Sequence, residues 1–115
     1  MTENKNSLAV LWTSGDKEVA LHMVFMYVLN AKKNDWWEEI EFIIWGPSAE
    51  LLSRDEELQS ELEKMKEVGV KLEACKVCAD RYGVSEYLEE LGVDVKYMGE
   101  PLTEYIKGNH SVITF

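Results

Sequence analysis

What this sequence lacks narrows it first. No run of about 18 apolar residues occurs anywhere in the chain, so nothing in it reads as a membrane span. The opening residues, Met1 to Ser7, are polar and lead straight towards a strand. They lack the basic start, apolar stretch and cleavage site of a secretory leader, and the expectation is a cytoplasmic protein. Cysteine is scarce. Only Cys75 and Cys78 are present, three positions apart, which in a reducing cytosol gives no disulfide framework. A single such pair also leaves no four-thiolate zinc site within one chain. No metal or cofactor is expected. There is no Walker P-loop, and Gly15 and Gly46 do not form G-x-G-x-x-G, so a dinucleotide site has no support. The acidic cluster of a receiver domain is missing too: Asp16 follows the first apolar run, but the second ends in Gly46-Pro47. Positive charge is short, with 12 Lys and Arg against 22 Asp and Glu and a formal net charge of -10. Such a surface repels phosphate backbones and disfavours direct nucleic-acid binding. The charged residues spread along helices, especially between Glu56 and Glu67, as a solvated face does. No internal repeat, low-complexity tract or linker interrupts the chain, which by length is one domain.

What is present is a regular alternation. Apolar residues make up 46% of the chain, enough for a core. Ser7–Trp12 reads as a buried strand that ends at Thr13-Ser14-Gly15-Asp16, with Asp16 placed to cap the next helix. That helix runs to about Ala31 and is apolar on most sides, through Val19, Met23, Val24, Phe25, Met26, Val28 and Leu29. It therefore needs a second cover besides the sheet, and a neighbouring subunit is a candidate. Trp36 and Trp37 follow in a polar connector and read as core or interface residues rather than ligand binders. Glu41–Trp45 is a second strand closed by Gly46-Pro47-Ser48, and Ser48 can start a short turn through Leu52. Ser53 with Glu56 has the capping-box spacing. Leu58, Leu62 and Met65 then mark one helix face, and Gly69 ends it in the left-handed position. Val70–Ala74 is a third strand. Cys75–Tyr82 reads as a loop into a short helix closed by Gly83, and Ser85 caps a second short helix ending at Gly92. Val93–Tyr97 is a fourth strand. Pro101 suits the first turn of a last helix ended by Gly108, and Ser111–Phe115 is a fifth strand. Strands alternating with helices predict an α/β fold with a five-stranded parallel sheet, helices covering both faces.

In an open parallel sheet, sites form beyond the carboxyl ends of the strands. Thr13–Asp16, Gly46–Ser48, Cys75–Cys78 and Met98–Pro101 all fall on that rim. Trp12 and Trp45 can wall a pocket there or serve the core, and Ser14, Gly46 and Lys76 are further pocket candidates. Cys75 is the sharpest feature. A thiolate between a strand end and a helix start faces unpaired N–H groups and the positive end of the helix dipole. Lys76 and Arg81 add positive charge. The plain alternative is a buried inert cysteine packing as a small hydrophobe. Cys78, one turn on, has the spacing of the second thiol of a C-x-x-C pair, or is a spectator. Asp80, Tyr82 and Ser14 are polar neighbours without assigned roles. His22 reads as a packed or surface residue, and His110 should lie on the opposite rim, so neither is a candidate base.

The layout resembles the DsrE family, the DsrE/F-like sulfur-relay proteins. The matching pieces are LAVLW with TSGD, the helix carrying ALHMVF, FIIWGPS followed by LL, ELEKMKEVGVKLEAC, YGVSEYLEELGVDV and the closing SVITF. The more specific piece is a cysteine after the third strand in a G-V-x-(L/F)-x-A-C pattern, here Gly69 to Cys75. The resemblance spans nearly the whole chain and implies one DsrE-like domain over 1–115 with a three-layer α/β/α fold. It also implies a homo-oligomer, a trimer or hexamer. Some members carry sulfur as a cysteine persulfide, and Cys75 alone inherits that role by position. Members often have Gly-Asn after the cysteine, whereas Lys76-Val77-Cys78 stands here.

Two functions compete on this reading. In one, an intracellular sulfur carrier or sulfurtransferase passes sulfane sulfur as a persulfide on Cys75 between donor and acceptor proteins, and Cys78 releases it. In the other, a non-catalytic DsrE-like subunit or small-molecule binding module has structural cysteines. A thiol–disulfide oxidoreductase is a poorer match, because the thioredoxin arrangement places its C-x-x-C after an early strand.

Overall fold

β-Branched and aromatic runs too short for helices become buried strands, and the longer segments between them become crossover helices. The computed structural model describes residues 6–115, so most of the polar opening read from Met1 to Ser7 lies outside the described residues. The strands are β1 (Ser7–Trp12), β2 (Glu39–Ile44), β3 (Lys71–Cys75), β4 (Asp94–Lys96) and β5 (His110–Thr114). They form one five-stranded sheet in the order β4-β3-β2-β1-β5, and every pairing is parallel. Residues 17–33 make one helical stretch: α1 (Lys17–Val19), a π-helical turn (Ala20–Val24) and α2 (Phe25–Lys33). The other helices are α3 (Pro47–Arg54), α4 (Glu56–Glu67), α5 (Lys76–Tyr82), α6 (Ser85–Glu90) and α7 (Gly99–Lys107). Among the described residues no helix is long and apolar enough to cross a membrane.

Strand order decides where the helices go. From β1 to β4 the chain steps in one direction across the sheet, and right-handed crossovers then place α1 to α6 on one face. The last crossover returns from β4 to β5 beside β1, so α7 falls on the other face. The fold is three-layer α/β/α as expected, but its layers are unequal. The thick side holds Leu8, Val10 and Trp12 of β1 and Ile40, Phe42 and Ile44 of β2 against Val24, Phe25, Val28, Leu52, Leu58 and Leu62. At its centre Trp12 meets Phe25 edge-on at 4.9 Å and stacks on Phe42 at 5.6 Å. Burying each such side chain contributes about 1.5–3 kcal/mol. The thin side holds Ala9, Ile43, Cys75 and Met98, with Leu102 and Tyr105 of α7 laid over them.

The thin side also carries charge. Glu41 and Glu73 are buried there. Tyr105 donates to Glu73, Lys96 Nζ lies 3.0 Å from it, and His110 Nε2 lies 3.1 Å from Glu41 Oε1. Burial is the largest influence on Glu41 and pushes its carboxyl up, against the pull of His110.

Several local expectations change. Asp16 does cap α1, accepting from Glu18 N–H at 2.8 Å, and Gly69 does adopt a positive φ of 97°. The Ser53–Glu56 capping box does not form. Ser53 is still inside α3, where its hydroxyl donates to Glu50 O at 2.7 Å, and Asp55 caps α4 by accepting from Leu58 N–H at 2.9 Å. Pro47 opens a full helix, α3, rather than a turn ending at Leu52, because its missing N–H is no loss in the first turn. Ser85 does not cap α6; Val84 holds that position and Ser85 donates to Asp80 instead. No loop follows Cys75, which itself ends β3 and serves as the N-cap residue of α5. Trp37 is half-buried and donates to Tyr27 Oη at 3.0 Å, whereas Trp36 is exposed. Val19, Met23 and Met26 leave an uncovered apolar strip on the first helical stretch.

Candidate functional site

The carboxyl ends of β2, β3 and β4 open onto a groove of about 390 Å³ on the thin side of the sheet. Alternation along each strand sets its walls. Trp12 pairs with Ile44, so both side chains point to the thick core. Trp45, one residue on, points the opposite way with Ile43 and lines the groove. Ala74 likewise faces the thick core, and Cys75 faces the groove. Tyr97, Met98 and Gly99, between β4 and α7, form the facing wall.

Cys75 and Cys78 lie together in this groove, both as free thiols. Cys75 forms part of the floor and is 5% exposed. Its side chain makes no capping hydrogen bond to α5. Cys78 is half-buried one helical turn further, with its thiol against that of Cys75. Burial and then the neighbouring Cys75 thiol push the Cys78 thiol up. The nearby Gly46 backbone amide and the Arg81 guanidinium pull the other way. Gly46 turns the chain beside the thiols at φ 83°, ψ -144°, a conformation open to glycine. Ser48 fixes the same corner, donating its hydroxyl to Trp12 O at 2.6 Å and accepting from Trp45 N–H at 3.2 Å.

The residues singled out from sequence are thus divided. Trp45 and Gly46 come to the two thiols. Trp12 is fully buried in the thick core. Ser14 accepts from Asp16 N–H at 3.0 Å in the loop after β1, away from the groove lining. Lys76 points to Asp80 at 3.0 Å and does not line the groove. Tyr82 is exposed and also outside the lining, His22 is on the surface, and His110 starts β5 at the opposite rim. Val77 and Tyr97 line the groove unannounced by any motif. Tyr97 directly follows β4, and that strand-end position was the one signal available. Among the described residues, no group of His, Cys, Asp and Glu is arranged to hold a metal ion.

The chain is thus a parallel α/β/α domain with two free thiols in one groove at the carboxyl ends of β2, β3 and β4. The chain belongs to the DsrE/DsrF-like family, whose family model matches residues 6–115. It is similar in structure to a conserved protein of unknown function from Bacteroides thetaiotaomicron, with 36% identity over 100% of this chain and 99% of that one and a TM-score of 0.94. The fold also matches the ychN protein of E. coli, at 15% identity, 97% and 100% coverage and a TM-score of 0.74. A protein of unknown function from Methanobacterium thermoautotrophicum matches at 21% identity, 95% and 98% coverage and a TM-score of 0.75. No curated protein matches the sequence at a significant level.

Proposed function

We propose that the whole chain acts as one DsrE-like domain that carries sulfane sulfur as a persulfide on Cys75, inside the cell and as a homo-oligomer. The observation that carries this reading is the contact between two free thiols within an open groove at the strand ends. Membership of the DsrE/DsrF-like family supports it.

The chemistry needs no metal. The Cys75 thiolate attacks the outer sulfur of a donor persulfide, the donor's S–S bond breaks, and the donor thiolate departs with the electron pair. The new terminal sulfur projects from the floor between Trp45 and Met98, whose apolar surfaces shelter it from bulk water. An acceptor thiolate then attacks that terminal sulfur and restores Cys75. Without an acceptor, Cys78 attacks the inner sulfur, hydrosulfide leaves, and a Cys75–Cys78 disulfide remains. Two thiols are oxidised as one sulfane sulfur is reduced to sulfide, and a dithiol reductant resets the pair.

Cyanide tests this reading, because it removes sulfane sulfur from a persulfide as thiocyanate. Cys78→Ser protein, which lacks the internal release route, incubated with a low-molecular-weight persulfide, desalted and treated with cyanide should release thiocyanate in near-equal amount to chain. Cys75→Ser should release none. Equal release from both would reassign the sulfur and return Cys75 to a packing role.

A further inference from the structure

Arg81 differs from the other cations around this groove. Cys75, Cys78 and Arg81 recur at intervals of three along α5 and its N-cap, a spacing that places side chains on one helix face, and all three line the groove. The chain has two arginines. Arg54 Nε is held by both carboxylate oxygens of Glu50, each at 3.0 Å. Arg81 makes no ion pair and no side-chain hydrogen bond among the described residues, although acids outnumber bases 22 to 12. Lys76, on the same helix, is already engaged by Asp80. A planar guanidinium left open beside an apolar groove matches a carboxylate bidentately. In a chain of net charge -10 it also offsets the general repulsion of an anionic donor. Arg81 and Cys75 line one groove from the same helical segment, so a donor whose sulfur and anionic oxygens are joined by a short carbon chain can engage both at once.

We propose that Arg81 selects the sulfur donor, and that the groove takes a low-molecular-weight organic persulfide whose thiol portion carries a carboxylate. This rests on the carrier reading above and names its substrate class. The carboxylate pairs with Arg81, the carbon chain lies along Val77 and Tyr97, and the outer sulfur meets Cys75. After attack, the leaving thiolate takes the electron pair and departs with its carboxylate.

Two donors of equal length separate charge from shape: the persulfide of mercaptopropionate and that of its carboxamide. Sulfur loading is followed by mass as the sum of persulfide and Cys75–Cys78 disulfide, since Cys78 converts the one into the other, for the natural chain and for Arg81→Gln, a substitution at an exposed position. The natural chain should load the carboxylate donor about fivefold faster than the carboxamide, the size of a partly exposed ion pair. Arg81→Gln should lose that preference and keep the carboxamide rate. Thiosulfate, whose anionic oxygens sit one atom from the transferable sulfur, should show no matching loss in Arg81→Gln; an equal loss would overturn the proposed class. Equal rates for the two organic donors in the natural chain would overturn the role of Arg81 and leave the carrier reading intact. No loading of the natural chain by any donor would overturn both.

Discussion

Tyr105 donates its hydroxyl to both carboxylate oxygens of Glu73, at 2.9 and 3.1 Å, and so ties α7 to the centre of the thin sheet face. No side chain of α7 is fully buried, so this contact and Leu102 hold much of its packed surface. Burial and then the Glu73 carboxylate push the phenol far above its usual value, so it remains the donor throughout the working range. Tyr105→Phe should cost about 1.5 kcal/mol, the lower end for a hydrogen bond to a charged group, because Lys96 still partners Glu73. Chemical denaturation checks this. Because Met98 and Gly99 at the start of α7 wall the groove, the same variant should expose Cys75 to alkylating reagents faster.

Helix α4 depends on Asp55 and not on Ser53. Asp55→Ala should cost about 1 kcal/mol, as lost N-caps do, and Ser53→Ala much less. The Leu58 N–H is the largest cause holding the Asp55 carboxyl below its usual value. A depressed carboxyl contributes stability above its unfolded value, and that contribution is lost as pH falls through the folded value. The gap between Asp55→Ala and the natural chain should therefore close in acid, as melting curves across pH will read.

Glu41 behaves in the opposite sense. Burial raises its carboxyl, so the folded chain holds that proton more tightly than the unfolded chain does. Stability from this group is then greatest below the unfolded value and falls as pH rises through the folded one. Glu41→Gln should flatten that decline. A melting-temperature profile from acid to neutral pH that is unchanged by the substitution would contradict the assignment.

Cys78 should alkylate with a midpoint above that of an ordinary thiol, since burial and Cys75 both act against its anion. Cys75→Ala removes one of those influences and should move the midpoint down. Rates measured against pH with a small neutral reagent will show the direction of the shift.

The strand order of charges and apolar residues made most of this fold legible, and the exceptions have physical causes. All five strands lie within about two residues of where β-branched and aromatic runs place them. The α7 side was harder to foresee. Alternating strands and helices predict coverage, but only the return of β4 to β5 across the sheet leaves one helix on that face. The two tryptophans teach the same lesson at finer scale. Trp12 and Trp45 both end buried runs, yet their registers differ by one residue, which sends one to the core and the other to the thiols. Cap choice failed at Ser53 and Ser85 because hydroxyls inside or beside a helix find other acceptors. Gly46 was legible as a strand-end glycine, but its place beside Cys78 depends on two strands meeting in register and on a positive φ.

The most direct measurement is the intact mass of Cys78→Ser after exposure to a persulfide donor. With the releasing thiol gone, a sulfur delivered to residue 75 has no internal route out. The account predicts a stable gain of one sulfur atom, about 32 Da, reversed by a dithiol reductant. A chain that gains nothing, or one whose gain persists when Cys75 is also replaced, would contradict it.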